Sequence, residues 1–409
     1  MKKIYVCGPT VYDHVHIGNL RPILTFDLVL RAYKQLGIPY KFVHNITDID
    51  DKIVNKAIET NKSEIEIAQK YANAYLELLE KVNVNTITDI EYVVPNMPVI
   101  QDYVQKLLDS KNAYTLEDGS VYFDVAKNQK YYGDVSNQSL ENMVFEDTEI
   151  TKNNLADFAL WKTTSKGVKF AFNSSLGRPG WHTECVALIH KHFGSQGVDI
   201  HGGGMDLVFP HHENENIQHQ ALFQSPLSAD WKRVGQFNLN DVKMSKSLGN
   251  IIKAKDFLEQ YDPNLLRMII FTSAYSNPIN ITEDLIKSNL KLIKRIKMLI
   301  FEFVLKADDL ASELGNQESL EHIYQEVSEF AFSKAMFSIH ELIKQINKDK
   351  NLQNLSTFKK LIFDLGFKFD LEDMQKSKQS YFDMKAYAAA KNYEKADEIA
   401  GILREKNYI

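Results

Sequence analysis

Two side chains of metal-binding type stand four residues apart near the middle of the sequence. His211 and Glu215 follow Pro210, a residue favoured at the first position of a helix, so a helix would place both side chains on one face. The same stretch begins with His201 and a run of three glycines. Glycine has no Cβ and tolerates positive φ, which lets a backbone come close to a bound ligand. The spacing predicts half of a metal site beside a ligand-binding turn.

The sequence contains only two cysteines, Cys7 and Cys185. Two are too few for a disulfide framework. The simplest interpretation of the pair is two free, buried thiols.

A short motif, His16-Ile17-Gly18-Asn19, lies at the start of the first predicted helix. Free backbone N–H groups and the helix dipole favour phosphate at such a position, and the imidazoles of His14 and His16 can donate to an anion. A polar helix start without a ligand is the alternative interpretation. The motif alone is a weak signal for nucleotide binding.

Two further polar segments follow predicted strands. Lys243 and Lys246 stand in a loop rich in serine and glycine, which suits a mobile cationic clamp on a polyphosphate, whereas a basic surface loop is the alternative. Residues 45–51 end the second strand with hydroxyl and carboxylate groups. A helix N-cap followed by an acidic first turn explains that segment equally well.

The elements that must position these residues follow a β-α-β order. An alternating run at 3–7 predicts a strand, apolar periodicity predicts a helix over 21–36, and residues 40–44 predict a second strand. Further helices are expected over 50–83 and 95–109, and further strands over 120–124, 197–200 and 233–237. This order favours an α/β fold with a Rossmann-like parallel sheet, whose ligands bind at the carboxyl ends of the strands.

The pattern changes twice along the chain. We predict a Rossmann-like catalytic domain from 1–83 and 161–250, with residues 84–160 as a connective insertion. Residues 251–300 form a junction and the start of a helical bundle, and 301–409 an all-α C-terminal domain. One helix face in the junction carries four basic residues, which suit either a solvated face or RNA phosphates: Lys287, Lys291, Lys294 and Arg295.

Composition narrows the class of protein. Hydrophobic residues make up 44% and charged residues 25% of 409, as in folded soluble proteins. A net charge of −6 excludes a generally basic nucleic-acid coat but not a local basic face. The apolar runs are shorter than the roughly 20 residues needed to span a bilayer. The first strand-like run begins at Ile4, which leaves no room before it for a signal peptide. We therefore expect a cytoplasmic protein without a membrane partner or signal peptide.

Six motifs in the sequence resemble those of the class I aminoacyl-tRNA synthetases, and most closely those of the cysteinyl-tRNA synthetase family. They are the His16 motif, the loop with Lys243, and the segments at 5–13 (YVCGPTVYD), 45–52 (NITDIDDK) and 180–185 (GWHTEC), together with the stretch 201–215. The resemblance is strong over residues 3–300 and weak beyond them. Asn19 stands where the class most often has histidine.

By this resemblance, one zinc ion per chain would be held by Cys7, Cys185, His211 and Glu215. Such a set of two thiolates, an imidazole and a carboxylate suits Zn²⁺ better than Mg²⁺ or Ca²⁺. Direct coordination of the substrate thiolate would then select L-cysteine over serine, a difference for which an apolar pocket supplies only about 1–3 kcal/mol. The resemblance also places substrate-binding roles on three residues: Thr47, Trp181 and His201. With selection at zinc, no hydrolytic editing domain is expected.

The resemblance further implies two reaction steps. Cysteine and ATP, with Mg²⁺, would give cysteinyl-adenylate, and the acyl group would pass to tRNA(Cys). The resemblance assigns catalytic roles to four residues: His16, Asn19, Lys243 and Lys246. It assigns nucleotide binding to five: Gly18, Gly203, Gly204, Asp206 and Lys246. The domain 301–409 would bind the tRNA and its anticodon, although the predicted last helix ends just before Ile409, and the protein would act as a monomer.

Two other functions fit parts of the pattern. A related ligase activates cysteine in the same way but joins it to an amino sugar, as in mycothiol-type biosynthesis; the basic face at 287–295 and the last helix favour tRNA instead. A binding module without activity is expected to carry a broken motif. Both loop lysines and all four proposed zinc ligands are present in this sequence.

Overall fold

The computed structural model describes residues 1–140, 152–244, 249–310 and 315–409. The strands, in chain order, are β1 (Lys2–Val6), β2 (Tyr40–Ile46), β3 (Asp89–Tyr92), β4 (Ala113–Thr115), β5 (Val121–Phe123), β6 (Phe158–Thr163), β7 (Phe170–Phe172), β8 (Ser175–Pro179), β9 (Val198–Gly204), β10 (Ser228–Val234), β11 (Phe237–Leu239), β12 (Val242–Lys243) and β13 (Ile279–Ile281). The α-helices are α1 (Ile17–Gln35), α2 (Asp51–Thr60), α3 (Glu64–Lys81), α4 (Met97–Asp109), α5 (Trp181–Phe193), α6 (Glu213–Phe223), α7 (Ala254–Gln260), α8 (Pro263–Phe271), α9 (Glu283–Lys306), α10 (Gln317–Ser328), α11 (Phe332–Asp349), α12 (Leu352–Asp364), α13 (Leu371–Ala389) and α14 (Tyr393–Glu405).

The central sheet has five parallel strands in the order β10-β9-β1-β2-β3. Alternate residues of β1 enter two different cores, because successive side chains of a strand point to opposite faces. Ile4 and Val6 pack with α1 and the C-terminal helices, whereas Tyr5 packs with α4, α5 and α6. The sheet is therefore covered on both faces, as expected for a parallel sheet. The predicted fold class is confirmed.

An antiparallel sheet is inserted between the two halves of the parallel one. Its strands lie in the order β4-β5-β6-β8-β7 and continue to Pro179, beyond residue 160, where the sequence led us to end the insertion. The last strand of this sheet in chain order, β8, ends at Pro179, and α5 begins two residues later at Trp181. The inserted sheet therefore fixes the position of the start of α5.

The types of element predicted from the sequence agree with those in the structure, but several elements begin or end at different residues. The single helical stretch expected over 50–83 is two helices, since Asn61 adopts a left-handed conformation after α2 and Ser63 and Glu66 form a capping box that starts α3. The strand expected over 233–237 is the end of β10 followed by β11. From α7 onward the described chain is helical except for β13. No helix within the described ranges is long and apolar enough to cross a bilayer.

Candidate active site

A cavity of about 380 Å³ lies at the carboxyl ends of the parallel strands. Its lining comes from the loop after β1, the start of α1, the end of β9 and the hairpin of β11 and β12. Residues predicted from the sequence to have site roles are well represented in that lining: Cys7, His16, Gly18, Asn19, Trp181, Gly204, Asp206 and Lys243. A parallel α/β sheet binds ligands at this edge.

Four side chains from three separate parts of the chain converge beside the cavity, and of these only Cys7 lines it. Cys7 follows β1, Cys185 lies in the second turn of α5, and His211 and Glu215 come from the segment around the start of α6. Their ligand atoms all lie within 4.8 Å of one another. Cys7 Sγ is 3.9 Å from Cys185 Sγ, 3.6 Å from His211 Nε2 and 3.7 Å from Glu215 Oε1. The structure thus brings together the four predicted ligands.

The segment that carries His211 and Glu215 differs locally from the prediction. Pro210 does not open a regular helix, because Phe209 has an extended backbone (φ −137°, ψ 133°) that interrupts the helical turn over Val208–His212. The regular helix α6 starts at Glu213. The two side chains still meet, with His211 Nε2 2.7 Å from Glu215 Oε1.

Burial and mutual contact shift the pKa values of these groups. Burial alone would lower the pKa of His211, but Glu215 raises it to about 10. Burial alone would likewise raise the pKa of Glu215, whereas His211 and His201 hold it well below its usual value. The contact with Cys7 lowers the pKa of Cys185 to about 6. Burial and the other thiol raise the pKa of Cys7. In the metal-free cluster these shifts favour a thiolate on Cys185, a carboxylate on Glu215 and a proton on His211, so metal binding would release the His211 proton.

The donor set fits zinc. Thiolate and imidazole ligands prefer Zn²⁺ to the harder Mg²⁺ and Ca²⁺, and the remaining carboxylate is also a usual zinc ligand. A second, overlapping set of Cys7, His201, His212 and Glu215 also lies within 4.8 Å. The first set contains both thiols and the second only Cys7, so the preference of zinc for thiolate ligands favours the first set. His201 Nε2 lies 2.7 Å from Glu215 Oε2 and would orient the carboxylate from behind.

His201 was expected to touch substrate, but it lies behind the metal-binding cluster. Its side chain is fully buried and does not line the cavity. Thr47 is also buried, and its hydroxyl donates to Glu184 Oε2 at 3.1 Å. Trp181 does line the cavity, and its ring stacks on that of His211 with centroids 4.2 Å apart. Of the three substrate-binding predictions, only Trp181 is placed on the cavity wall.

The three glycines at the end of β9 serve packing within the protein. None has positive φ. A Cβ on Gly202 would lie 2.3 Å from the Phe26 ring, and one on Gly203 would lie 2.8 Å from the His212 imidazole. Gly204 and Asp206 line the cavity, whereas Gly203 does not. The run therefore lets α1 and the His212 ring pack against the strand, and only its last residue lines the cavity.

The opposite wall carries the residues expected to bind phosphate. Asn19 Oδ1 accepts a hydrogen bond from His16 N at 3.1 Å, which caps the start of α1. A Cβ at Gly18 would come within 2.7 Å of His16 Nδ1, so glycine gives the imidazole its room. Lys243 ends β12 and is exposed at the cavity. Lys246 lies outside the described residues.

Several residues of the site were not singled out from the sequence. His182 Nδ1 lies 3.2 Å from His211 Nδ1, and burial lowers the pKa of His182 to about 3. Its position three residues before Cys185, on the same helix face, is a signal that helical spacing offers. His212 stands next to His211, and Tyr12 and Lys52 line the cavity mouth.

Comparison with known proteins identifies the same family as the sequence motifs. A profile of the class I (C) tRNA synthetase catalytic domain matches residues 1–291. Cysteine–tRNA ligase of Mesomycoplasma hyopneumoniae strain 232 is 42% identical over 398 residues, covering 97% of this chain and 95% of that protein. The ligase of Malacoplasma penetrans is 43% identical over 379 residues, covering 89% and 84%.

Solved structures show the same fold at low sequence identity. Mycobacterium tuberculosis methionyl-tRNA synthetase bound by methionyl-adenylate covers 94% of both chains with a TM-score of 0.66 and 12% identity. The profile match spans more than half of this chain, and its sequence relatives span nearly all of it. The chain therefore belongs to the cysteine–tRNA ligase family of class I aminoacyl-tRNA synthetases.

Proposed function

We propose that this protein joins L-cysteine to tRNA(Cys) in two steps, with ATP consumed to form cysteinyl-adenylate in the first. One observation carries the proposal: a buried Cys, Cys, His, Glu cluster reaches, through Cys7, a cavity that is also lined by His16, Gly18, Asn19 and Lys243. An amino-acid pocket and a phosphate-binding wall in one cavity suit activation of an amino acid by a nucleotide.

Cysteine would be selected where the metal-binding cluster meets the cavity, at Cys7. One zinc ion per chain, held by Cys7, Cys185, His211 and Glu215, would coordinate the substrate as a thiolate, which a serine hydroxyl matches poorly because it is harder to ionise. Trp181 closes one side of this pocket and fixes the His211 ring by stacking. Thr47 positions this region indirectly, since its hydroxyl holds Glu184 and its backbone pairs with Thr10.

The nucleotide would bind along the opposite wall. His16 and Asn19 lie at the start of α1, where backbone N–H groups and the helix dipole favour the phosphates of ATP and its Mg²⁺. Lys243, together with Lys246 of the same loop, would neutralise charge on the departing pyrophosphate. Gly204 leaves room for the adenosine, and the Asp206 carboxylate would accept from its hydroxyl groups. Catalysis here rests on positioning and electrostatics.

The domain roles are part of the proposal. Residues 1–83 and 161–250 would catalyse the reaction, 84–160 would form the connective insertion, and 251–300 the junction. The helices within 301–409 would bind tRNA and its anticodon. We further propose that the protein acts as a cytoplasmic monomer.

Two assays test the proposal. Cysteine-dependent exchange of pyrophosphate into ATP measures activation, and charging of a tRNA(Cys) transcript measures transfer. Exchange without charging would contradict tRNA as the acceptor and favour the amino-sugar ligase. Serine-dependent exchange as fast as the cysteine-dependent reaction would contradict selection of the thiol.

A further inference from the structure

A group of lysines surrounds one side of the cavity mouth without belonging to the phosphate wall. We call Lys52, Lys70, Lys253 and Lys255 the lysine rim. They come from α2, α3, the residue before α7, and α7. Lys52 lines the cavity, whereas the other three lie beyond its lining. The rim thus extends from the site outward over the surface.

Aromatic and backbone contacts fix the rim in place. Lys52 Nζ lies 5.7 Å from the centre of the Tyr12 ring, and Lys70 Nζ lies 4.8 Å from that of Tyr71. Tyr71 in turn meets His14 edge-on at 5.1 Å, and His14 lines the cavity. These contacts connect α3 to the cavity mouth.

The start of α7 is tied to the same loop. Ala254 N donates to Val15 O at 2.9 Å, and His16 and Lys253 form an isolated β-bridge. Lys70, Lys253 and Lys255 all disfavour protonation of His14 and contribute to its lowered pKa, after burial and against Asp13. The charges from α3 and α7 therefore act on one place, beside the imidazole at the cavity mouth.

Few carboxylates neutralise the positive charges of the lysine rim. In the described part of the chain, no carboxylate oxygen lies within 4.0 Å of the Lys52, Lys70 or Lys253 amines. Lys255 meets Glu259 at 3.6 Å, in an exposed pair that solvent screens strongly. Four lysines, with Tyr12 at the cavity, form a surface suited to an anionic ligand with flat bases.

We propose that the lysine rim binds the single-stranded 3′ end of tRNA and guides it into the cavity, which rests on the proposed tRNA-charging function. His16, Asn19 and Lys243 line the cavity in which a triphosphate would bind, whereas Lys70 and Lys255 lie outside that lining. A nucleic-acid strand places one phosphate at each nucleotide and extends outward from the site. Tyr12, which lines the cavity, adds an aromatic ring beside the Lys52 amine.

The test compares Lys70→Ala/Lys255→Ala with the wild type, using tRNA(Cys) transcripts with and without the single-stranded 3′ end. We expect the double variant to bind the full transcript about tenfold more weakly and the truncated transcript at most about twofold more weakly. The slope of log affinity against log salt should fall by about 0.7 for each lysine removed. The ratio of charging to pyrophosphate exchange should fall with the affinity. Lys34→Ala, in the last turn of α1 at the far edge of the sheet, is the matched control and should change neither.

Other outcomes separate this inference from the proposed function. Unchanged binding and salt slope in the double variant would overturn the rim while leaving charging by the wild type intact. Equal weakening for both transcripts would place the lysines on the tRNA body and also overturn it. A raised KM for ATP with unchanged RNA affinity would assign the rim to the nucleotide. Failure of the wild type to exchange or charge would count against the proposed function itself.

Discussion

Cys7 Sγ and Cys185 Sγ lie 3.9 Å apart although 178 residues separate them in the chain. Asn45 links the segments that carry them, since its Oδ1 accepts from Gly8 N at 2.8 Å and lies 3.8 Å from Cys185 Sγ. The end of β1, the end of β2 and the start of α5 are therefore joined at one residue. The two thiols are held together by the fold before any ligand arrives.

Replacement of Cys185 should remove the metal. Cys185→Ser keeps the size of the side chain but lacks a thiolate. Loss of a residue that only hydrogen-bonds to a metal ligand lowers metal affinity by about 10–100-fold. Loss of a ligand itself should lower the zinc affinity further. Cysteine-dependent exchange should fall with it. Metal analysis of the purified variant and competition with a chromophoric chelator measure the first effect.

Thr183→Val is the control for that experiment. Thr183 is fully buried in the first turn of α5, and its hydroxyl has no hydrogen-bond partner within the described chain, so valine preserves the packing. Its zinc content should equal that of the wild type. Full zinc content in Cys185→Ser would refute the role of this cysteine as a ligand.

Asn19 is expected to have two separable roles. Its Oδ1 caps the start of α1, and its amide can donate to phosphate. Asn19→Asp keeps the acceptor and removes the donor, so the thermal midpoint should stay near that of the wild type while exchange falls by about tenfold or more. Asn19→Ala should in addition lose about 1 kcal/mol of stability with the cap.

The paired measurement decides between the two roles. Exchange kinetics at varied ATP and thermal unfolding are recorded for both variants. Wild-type exchange in Asn19→Asp would mean that the residue only caps the helix. Asn19→His, the residue more usual in this class, should retain exchange.

The sequence predicted those parts of the site that lie on local motifs. The His16 motif, Lys243 and the His211–Glu215 spacing are each visible within a few residues, and the β-α-β order places them at one edge of a sheet. The prediction that Cys7 and Cys185 belong to one site came only from the resemblance to the synthetase family. No local sequence pattern relates residues that lie on different elements. His201 was predicted to touch substrate, and its side chain lies buried outside the cavity lining. The sequence could not indicate this, because successive side chains of a strand point to opposite faces and no local pattern tells which of them reaches the cavity.

A buried ionic network joins α1 to α8 and to the segment before β3. Asp27 Oδ2 accepts from Arg31 and from Arg267 at 2.7 Å each, and its Oδ1 accepts from Thr86 Oγ1 at 2.9 Å. Asp27→Asn would leave two buried guanidinium groups without their counter-ion. Breaking such a network by removing one partner costs about 3–5 kcal/mol.

Urea unfolding followed by circular dichroism measures this effect. The midpoint for Asp27→Asn should fall clearly, whereas that for Glu283→Gln, which removes the exposed ion pair with Lys287, should stay unchanged. Equal midpoints for Asp27→Asn and the wild type would show that the network adds nothing to stability.

Stability should depend on pH through Glu91, which holds the far end of the helix that carries Cys185. Burial alone would raise the pKa of Glu91, but hydrogen bonds from Lys191, His192 and Asn96 hold it below its usual value. A carboxyl whose folded pKa lies below its unfolded value of about 4.3 stabilises the fold fully above that value, and loses this effect as pH falls through the folded pKa. The site is partly exposed, so Glu91→Gln should lower the thermal midpoint by only about 1–2 °C at pH 7.

The difference between wild type and Glu91→Gln should therefore shrink as the pH is lowered from 6 towards 4. Differential scanning calorimetry across that range measures it, with Glu77→Gln on the exposed face of α3 as the control for loss of one surface charge. A midpoint difference that stays constant down to pH 4 would mean that Glu91 acts through its shape and neutral hydrogen bonds, since only the charged carboxylate gains from the Lys191 ammonium. A difference that grows as pH falls would reverse the sign of the linkage, and would require a folded pKa above the unfolded one.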